Sequence, residues 1–251
     1  MPGVIRAALF DFGGVIVDGP FEAFAAYERA HGLPEGLIRQ INATDPDTNA
    51  WARLERSEVD VAGFAAQFEA EAAALGHVVD GRDVLGLLSG SVTGDGTATM
   101  GRLRPAMVEA VRRCSQRLVT GLLTNNFIPV DGPGLGDLGA RTDGAHASGT
   151  TGSAGAGGPA GPAGAGGAFG EVLALFDGVI ESSRVGVRKP DPRFYEIACA
   201  MLEIEPAEAV FLDDLGINLK PARAMGMLTI KVGDPATALA ELEQVVGFAL
   251  S

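Results

Sequence analysis

Cysteine and histidine are scarce in this chain of 251 residues: Cys114 and Cys199 are its two cysteines, and His31, His77 and His146 its three histidines. None of these share metal-ligand spacing, which excludes a disulfide scaffold and a zinc centre and leaves two thiols expected to be reduced. Positive charge is also in short supply. Lys and Arg total 19 against 32 Asp and Glu, a net charge of −13, so no basic patch is expected that could neutralise a nucleic-acid backbone or hold an anionic membrane. Neither nucleic acid nor membrane is expected as a partner. No segment reaches the roughly 20 apolar residues of a membrane helix. The start, Met1 to Arg6, lacks a basic region followed by a long apolar run, so a soluble, cytoplasmic protein is expected. The length suits one domain, or one domain carrying a sizeable insertion.

Glycine is plentiful and unevenly placed. Of 36 glycines, 14 fall in the 38 residues from Asp131 to Ala168. Side chains this small bury too little surface to offset about 1 to 2 kcal/mol of backbone ordering per residue, so 131–168 is expected to be a disordered loop insertion, a neutral linker or else a substrate or partner lid. Elsewhere short apolar runs alternate with amphipathic stretches, the pattern of a parallel sheet covered by helices. Strands are expected at 4–10, 118–123, 178–180, 209–212 and 228–232. Helices are expected at 104–116 and 192–202, each with a proline near its first turn, and at 221–225, stopped by Gly226. From about Pro20 to Met100 the spacing turns helical: Phe21, Phe24, Ala25 and Tyr27, then Trp51 and Leu54, then Phe64, Phe68, Ala72 and Leu75 recur at three- and four-residue intervals and are expected to be core. On the same segment Glu55, Glu58, Glu69 and Glu71 read as a solvated helical face.

Ligands of open parallel sheets bind beyond the carboxyl ends of the strands, so the residues after each strand carry the chemistry. The first strand runs into Asp11-Phe12-Gly13-Gly14-Val15, the second into Thr124-Asn125-Asn126 and the fourth into Asp213-Asp214, while Lys189-Pro190-Asp191-Pro192 follows the third. Three carboxylates, a hydroxyl, an amide and an ammonium are thereby expected at one crevice. Carboxylates crowded together repel unless a hard cation lies between them, and all-oxygen donors point to Mg²⁺.

These four motifs stand in the order seen in the haloacid dehalogenase-like hydrolases, and the stretch from Val210 to Met227 resembles the phosphatase domain at the N-terminus of soluble epoxide hydrolases. The resemblance implies an α/β fold: a Rossmann-like parallel core built from 1–15 and 101–251, with a helical cap at 16–100 inserted after the first strand. It further implies a Mg²⁺-dependent phosphatase for a small phosphorylated metabolite. Asp11 would attack phosphorus and form an aspartyl-phosphate; Asp11, the Gly13 carbonyl and Asp214 would hold Mg²⁺, with Asp213 acting directly or through water. Thr124 and Asn125 would donate to the phosphoryl oxygens, and Lys189, helped by Arg188, would offset the crowded charge. Asn218 would orient the acidic pair or face its own helix turn. Because the resemblance stops at the phosphatase domain, and Ser251 leaves no room for a hydrolase domain after it, no epoxide hydrolysis is expected.

One position departs from the family pattern. Phosphatases of this kind usually carry a second Asp two residues after the nucleophile, to protonate the leaving oxygen; here that residue is Gly13. A positioned general acid contributes about 10² to 10⁴ in rate. Two alternatives therefore stand beside the phosphatase: a phosphate- or partner-binding module with little or no turnover, and a dehalogenase in which Asp11 attacks carbon, a reading that the Asp213-Asp214 pair fits poorly.

Overall fold

A computed structural model describes residues 4–88, 102–127 and 165–250. Five strands, β1 (Ala7–Phe10), β2 (Val119–Thr124), β3 (Gly178–Glu181), β4 (Ala209–Asp213) and β5 (Leu228–Lys231), form one sheet in the order β3-β2-β1-β4-β5. Every neighbouring pair is parallel. Ala7, Ala8, Leu9 and Phe10 are all fully buried, as expected of a central strand with helices on both faces. Ala8 and Phe10 join Val111, Leu122, Leu212 and Leu242 in one core layer. Ala7 and Leu9 join Leu123, Phe194, Tyr195 and Phe211 in the other. The α/β, Rossmann-like architecture agrees with the sequence reading.

The helices at Pro105–Ser115 and Pro192–Leu202 also form where expected, each with its proline in the first turn. Between β1 and the first of these lie α1 (Phe21–Ala30), α2 (Leu37–Ala43), α3 (Ala50–Glu55), α4 (Val61–Ala74) and α5 (Gly81–Gly86). These five helices share a hydrophobic cluster of their own, which includes Phe24, Tyr27, Leu54, Phe64, Phe68 and Ala72. Trp51 packs edge-on to Phe64 with ring centroids 5.1 Å apart. The buried Glu28 carboxylate accepts the Gly36 and Ile38 N–H groups at 2.8 Å each, tying the turn before α2 back to α1. In chain order the remaining helices are α6 (Pro105–Ser115), α7 (Ala165–Leu173), α8 (Ser182–Val185), α9 (Pro192–Leu202), α10 (Gly216–Ala224) and α11 (Pro235–Val246).

Several expectations are corrected. The first strand begins at Ala7, and Val4 is exposed. The helix expected at 221–225 starts at Gly216 and encloses Pro221; the buried Asn218 and Leu219 anchor it upstream of the proline. Phe21 lies at the surface instead of in the core, with the Arg39 guanidinium 4.9 Å over its ring. Glu55 is buried, and Glu71 accepts the Ala50 N–H at 2.8 Å, so only part of the expected acidic face is solvated. The Gly/Ala-rich loop expected at 131–168 falls largely outside the described residues, but its last four residues already belong to α7, which Val172 and Leu173 bury against the core. Both cysteines are unpaired and buried, and burial pushes the Cys114 thiol up to about 12. No helix among the described residues is long and apolar enough to cross a membrane.

Candidate active site

Strand order reverses beside β1: the chain builds outward through β2 and β3, then returns to place β4 on the other side. The crevice beyond the carboxyl ends of β1 and β4 is therefore the place for a ligand, and Asp11 and Asp213 stand there.

Asp11 follows β1, its N–H donating to the Leu212 carbonyl at 2.9 Å. Its Oδ1 accepts the Phe12 N–H at 2.7 Å and lies 2.8 Å from Lys189 Nζ. Its Oδ2 has no protein partner among the described residues. One oxygen is thus fixed and the other is free to meet a ligand. The chain then turns on itself, with the Ile16 and Val17 N–H groups donating to the Phe12 carbonyl. Gly14 holds this turn at φ +74°, and a Cβ on it would run into the Asp214 carboxylate; no side chain is tolerated there. Gly13 differs: a Cβ built on it meets nothing within 4 Å.

Asp213 ends β4 and is fully buried. Its Oδ1 accepts the Leu215 N–H at 2.8 Å and Asn218 Nδ2 at 3.0 Å; its Oδ2 accepts Lys189 Nζ at 2.8 Å and Asn218 Nδ2 at 3.0 Å. The open role of Asn218 is thereby decided: it orients Asp213, and its own carbonyl accepts the Tyr195 hydroxyl at 2.6 Å. Both Asp213 oxygens are thus engaged, one of them by Lys189. Asp214 is half-buried beside it.

Lys189 is 1% exposed, and its ammonium has three acceptors for its three protons: Asp11, Asp213 and the Leu123 carbonyl, each at 2.8 Å. Its backbone is clamped by Asn125, whose Oδ1 accepts the Lys189 N–H at 2.9 Å and whose Nδ2 donates to the Lys189 carbonyl at 3.0 Å. The Asn125 amide, expected to face a phosphoryl group, therefore serves first to position Lys189. The Thr124 hydroxyl, by contrast, has one long contact, 3.4 Å to the Asn125 carbonyl, and remains available to an incoming oxygen. Arg188 turns away from the acidic cluster: its Nε lies 2.6 Å from Glu55 of α3.

Electrostatics follow from this packing. Burial alone would lower the Lys189 pKa, but Asp11 and Asp213 outweigh it and hold the ammonium above its ordinary value. Burial raises the Asp11 carboxyl despite Lys189, with Asp213 and Asp214 adding to the rise. Asp214 is pushed up to about 6, by burial and then by Asp213. A folded protein that holds protons on these acids loses stability as pH climbs from the ordinary carboxylate range, about 4, through the raised values. Each of Asp11, Asp213 and Asp214 offers one oxygen within 4.8 Å of the others, a hard, oxygen-only donor set that fits Mg²⁺. A cation there competes with those protons, so Mg²⁺ should raise Tm more at pH 8 than at pH 5.5, a difference that scanning calorimetry against a chelator control would measure. An equal or smaller rise at pH 8 would contradict the metal assignment.

The sequence marks Arg104 only as the first residue of an expected helix. Its guanidinium donates to the Gly14 carbonyl and to Asp18 Oδ1 at 3.2 Å, and its charge draws the Asp214 pKa back down. No local pattern signals this, because its partners lie 86 and 90 residues away.

A sequence model of the haloacid dehalogenase-like hydrolases matches residues 5–226. Mouse acyl-CoA dehydrogenase family member 10 is 31% identical over 249 residues, covering 98% of this chain and 19% of that protein. Pig bifunctional epoxide hydrolase 2 is 56% identical over 75 residues, 30% of this chain and 14% of that protein. The chain thus spans less than a fifth of the length of these curated relatives. Among solved structures, L-2-haloacid dehalogenase from Xanthobacter autotrophicus with chloropropionic acid covalently bound superposes with a TM-score of 0.55 at 18% identity, covering 99% of this chain and 85% of that one. The enzyme BT-2542 from Bacteroides thetaiotaomicron, in complex with magnesium and inorganic phosphate, gives 0.51 at 17% identity, covering 92% and 96%.

Proposed function

The chain belongs to the haloacid dehalogenase-like hydrolases, and from that premise we propose that it is a Mg²⁺-dependent phosphatase acting on a small phosphorylated metabolite through an aspartyl-phosphate. The observation that carries this reading is the asymmetry of Asp11: Oδ1 is held by Lys189 and the Phe12 N–H, while Oδ2 is unpartnered, beside a half-buried Asp214. That geometry suits an oriented nucleophile next to a cation site. A structural neighbour that holds magnesium and inorganic phosphate supports the same reading. The dehalogenase alternative has a neighbour of its own, but Asp214 then has no evident task.

In the proposed reaction Asp11 Oδ2 attacks phosphorus, the bond to the leaving oxygen breaks, and an acyl phosphate forms on Asp11. Water then attacks phosphorus, releasing inorganic phosphate and restoring the carboxylate. Mg²⁺, held by Asp11, Asp214 and the Gly13 carbonyl, would supply positive charge to the phosphoryl oxygens. Lys189 holds Asp11 Oδ1 in place and opposes the rise that burial imposes on its carboxyl, Thr124 donates to the phosphoryl group, and Asn125 and Asp213 hold Lys189. The helices of 21–86 act as the cap that screens the site from water.

The test is hydrolysis of an aryl phosphate by the purified protein with Mg²⁺ and with chelator, beside Asp11→Asn prepared in parallel. Turnover that needs Mg²⁺ and disappears in the variant is the expected outcome. Turnover equal in chelator, or equal in the variant, would remove the proposal.

A further inference from the structure

The helices of 21–86 meet α8 and the loop after it through few polar contacts among the described residues. Ser57 Oγ donates to the Ser183 carbonyl at 2.9 Å. Arg188 reaches across with two of its guanidinium nitrogens: Nε forms an ion pair with Glu55 Oε2 at 2.6 Å, and NH1 donates to the Pro46 carbonyl at 2.8 Å. Glu55 is the last residue of α3 and 8% exposed. A carboxylate buried to that degree is costly without a cation, so the insertion seats on the core where Arg188 can meet it. Arg188 immediately precedes Lys189, whose N–H and carbonyl are clamped by Asn125 and whose ammonium sits on Asp11. A single planar peptide therefore joins the ion pair that seats the insertion to the residue that holds the nucleophile.

We propose that the Glu55–Arg188 pair is a positioning device, through which seating of the helical insertion on the sheet fixes Lys189 against Asp11. Among the described residues neither Arg188 nor Glu55 pairs with Asp11, Asp213 or Asp214; they act through Lys189. The Ser57–Ser183 bond tethers the same two parts without bordering Lys189, which separates positioning from mere attachment. The consequence for catalysis rests on the phosphatase reading; the mechanical coupling does not.

The experiment compares full-length Glu55→Gln, Arg188→Gln, the double variant and Ser57→Ala, using hydrogen exchange at the Lys189 amide and steady-state kinetics on an aryl phosphate with Mg²⁺. The double variant exchanges the ion pair for two neutral amides and leaves no buried charge unpaired, so it keeps the test open if a single variant fails to fold. Exchange at Lys189 should accelerate about tenfold in the Glu55 and Arg188 variants and stay unchanged in Ser57→Ala. In parallel, kcat should fall by about tenfold with KM within about threefold, and Arg188→Lys should recover part of the loss because its ammonium can still meet Glu55. Unchanged exchange at Lys189 in the folded Glu55 and Arg188 variants would overturn the proposal, as would an equal acceleration in Ser57→Ala. Accelerated exchange in a protein that hydrolyses no phosphate would sustain the coupling and remove the phosphatase reading.

Discussion

Lys189→Met should lower kcat for an aryl phosphate by about 10²- to 10³-fold or more, the scale set by deleting one preorganised electrostatic donor. The ammonium satisfies Asp11, Asp213 and the Leu123 carbonyl together. Methionine fills the space but leaves two buried carboxylates facing each other without a cation. Asp11, raised to about 8 by burial even beside Lys189, would lose the charge that opposes that rise and hold its proton more firmly, further from its nucleophilic form. The same substitution should cost stability, because breaking a buried ion pair costs about 3 to 5 kcal/mol. At about 2 to 4 °C per kcal/mol for a chain of this size, Tm should drop by roughly 6 to 20 °C. Lys189→Arg should not rescue, since a planar guanidinium cannot reach three acceptors arranged around a single nitrogen. Wild-type kinetics in folded Lys189→Met would move Lys189 out of the site.

The second large effect lies at Gly13 and runs in the direction of gain. The wild-type protein should turn over aryl phosphates far faster than alkyl phosphates. An alkoxide leaves poorly without a proton, and no side chain at position 13 can give one. Gly13→Asp should raise kcat/KM for an alkyl phosphate by at least about tenfold, toward the 10² to 10⁴ that a positioned acid contributes, and change the aryl rate little. The substitution is sterically free, since a Cβ there meets nothing within 4 Å and the backbone is outside the left-handed region. Plotting rate against leaving-group pKa for both proteins measures the effect: a steep wild-type slope should flatten in the variant. Comparable wild-type rates on both classes would mean that a proton donor already serves the site.

The sheet was legible because its strands are short runs buried on both faces. Ala7 to Phe10 needs no alternating pattern, and the polar residues that follow such runs mark the crevice without any knowledge of pairing. The acidic cluster was legible for the same reason, with Asp11 directly after β1 and Asp213 at the end of β4. What stayed hidden depends on partners distant in sequence. Glu55 reads locally as one more helix-face acid, and its burial is answered by the Arg188 guanidinium and by Trp51. Asn125 reads as a ligand donor, and its clamp on the Lys189 backbone shows only in the fold, because the two lie 64 residues apart. Pro221 reads as a helix start because proline usually enters the first turn; here Asn218 and Leu219 fix α10 first, through Asp213 and the core.

The most direct test of the account is the mass of the peptide that carries Asp11 when turnover of an aryl phosphate in Mg²⁺ is quenched with acid. One phosphoryl group on Asp11, absent with chelator and removed by hydroxylamine as an acyl phosphate should be, is the predicted result. An unmodified Asp11 peptide throughout active turnover, with the phosphoryl group on another residue, would contradict it.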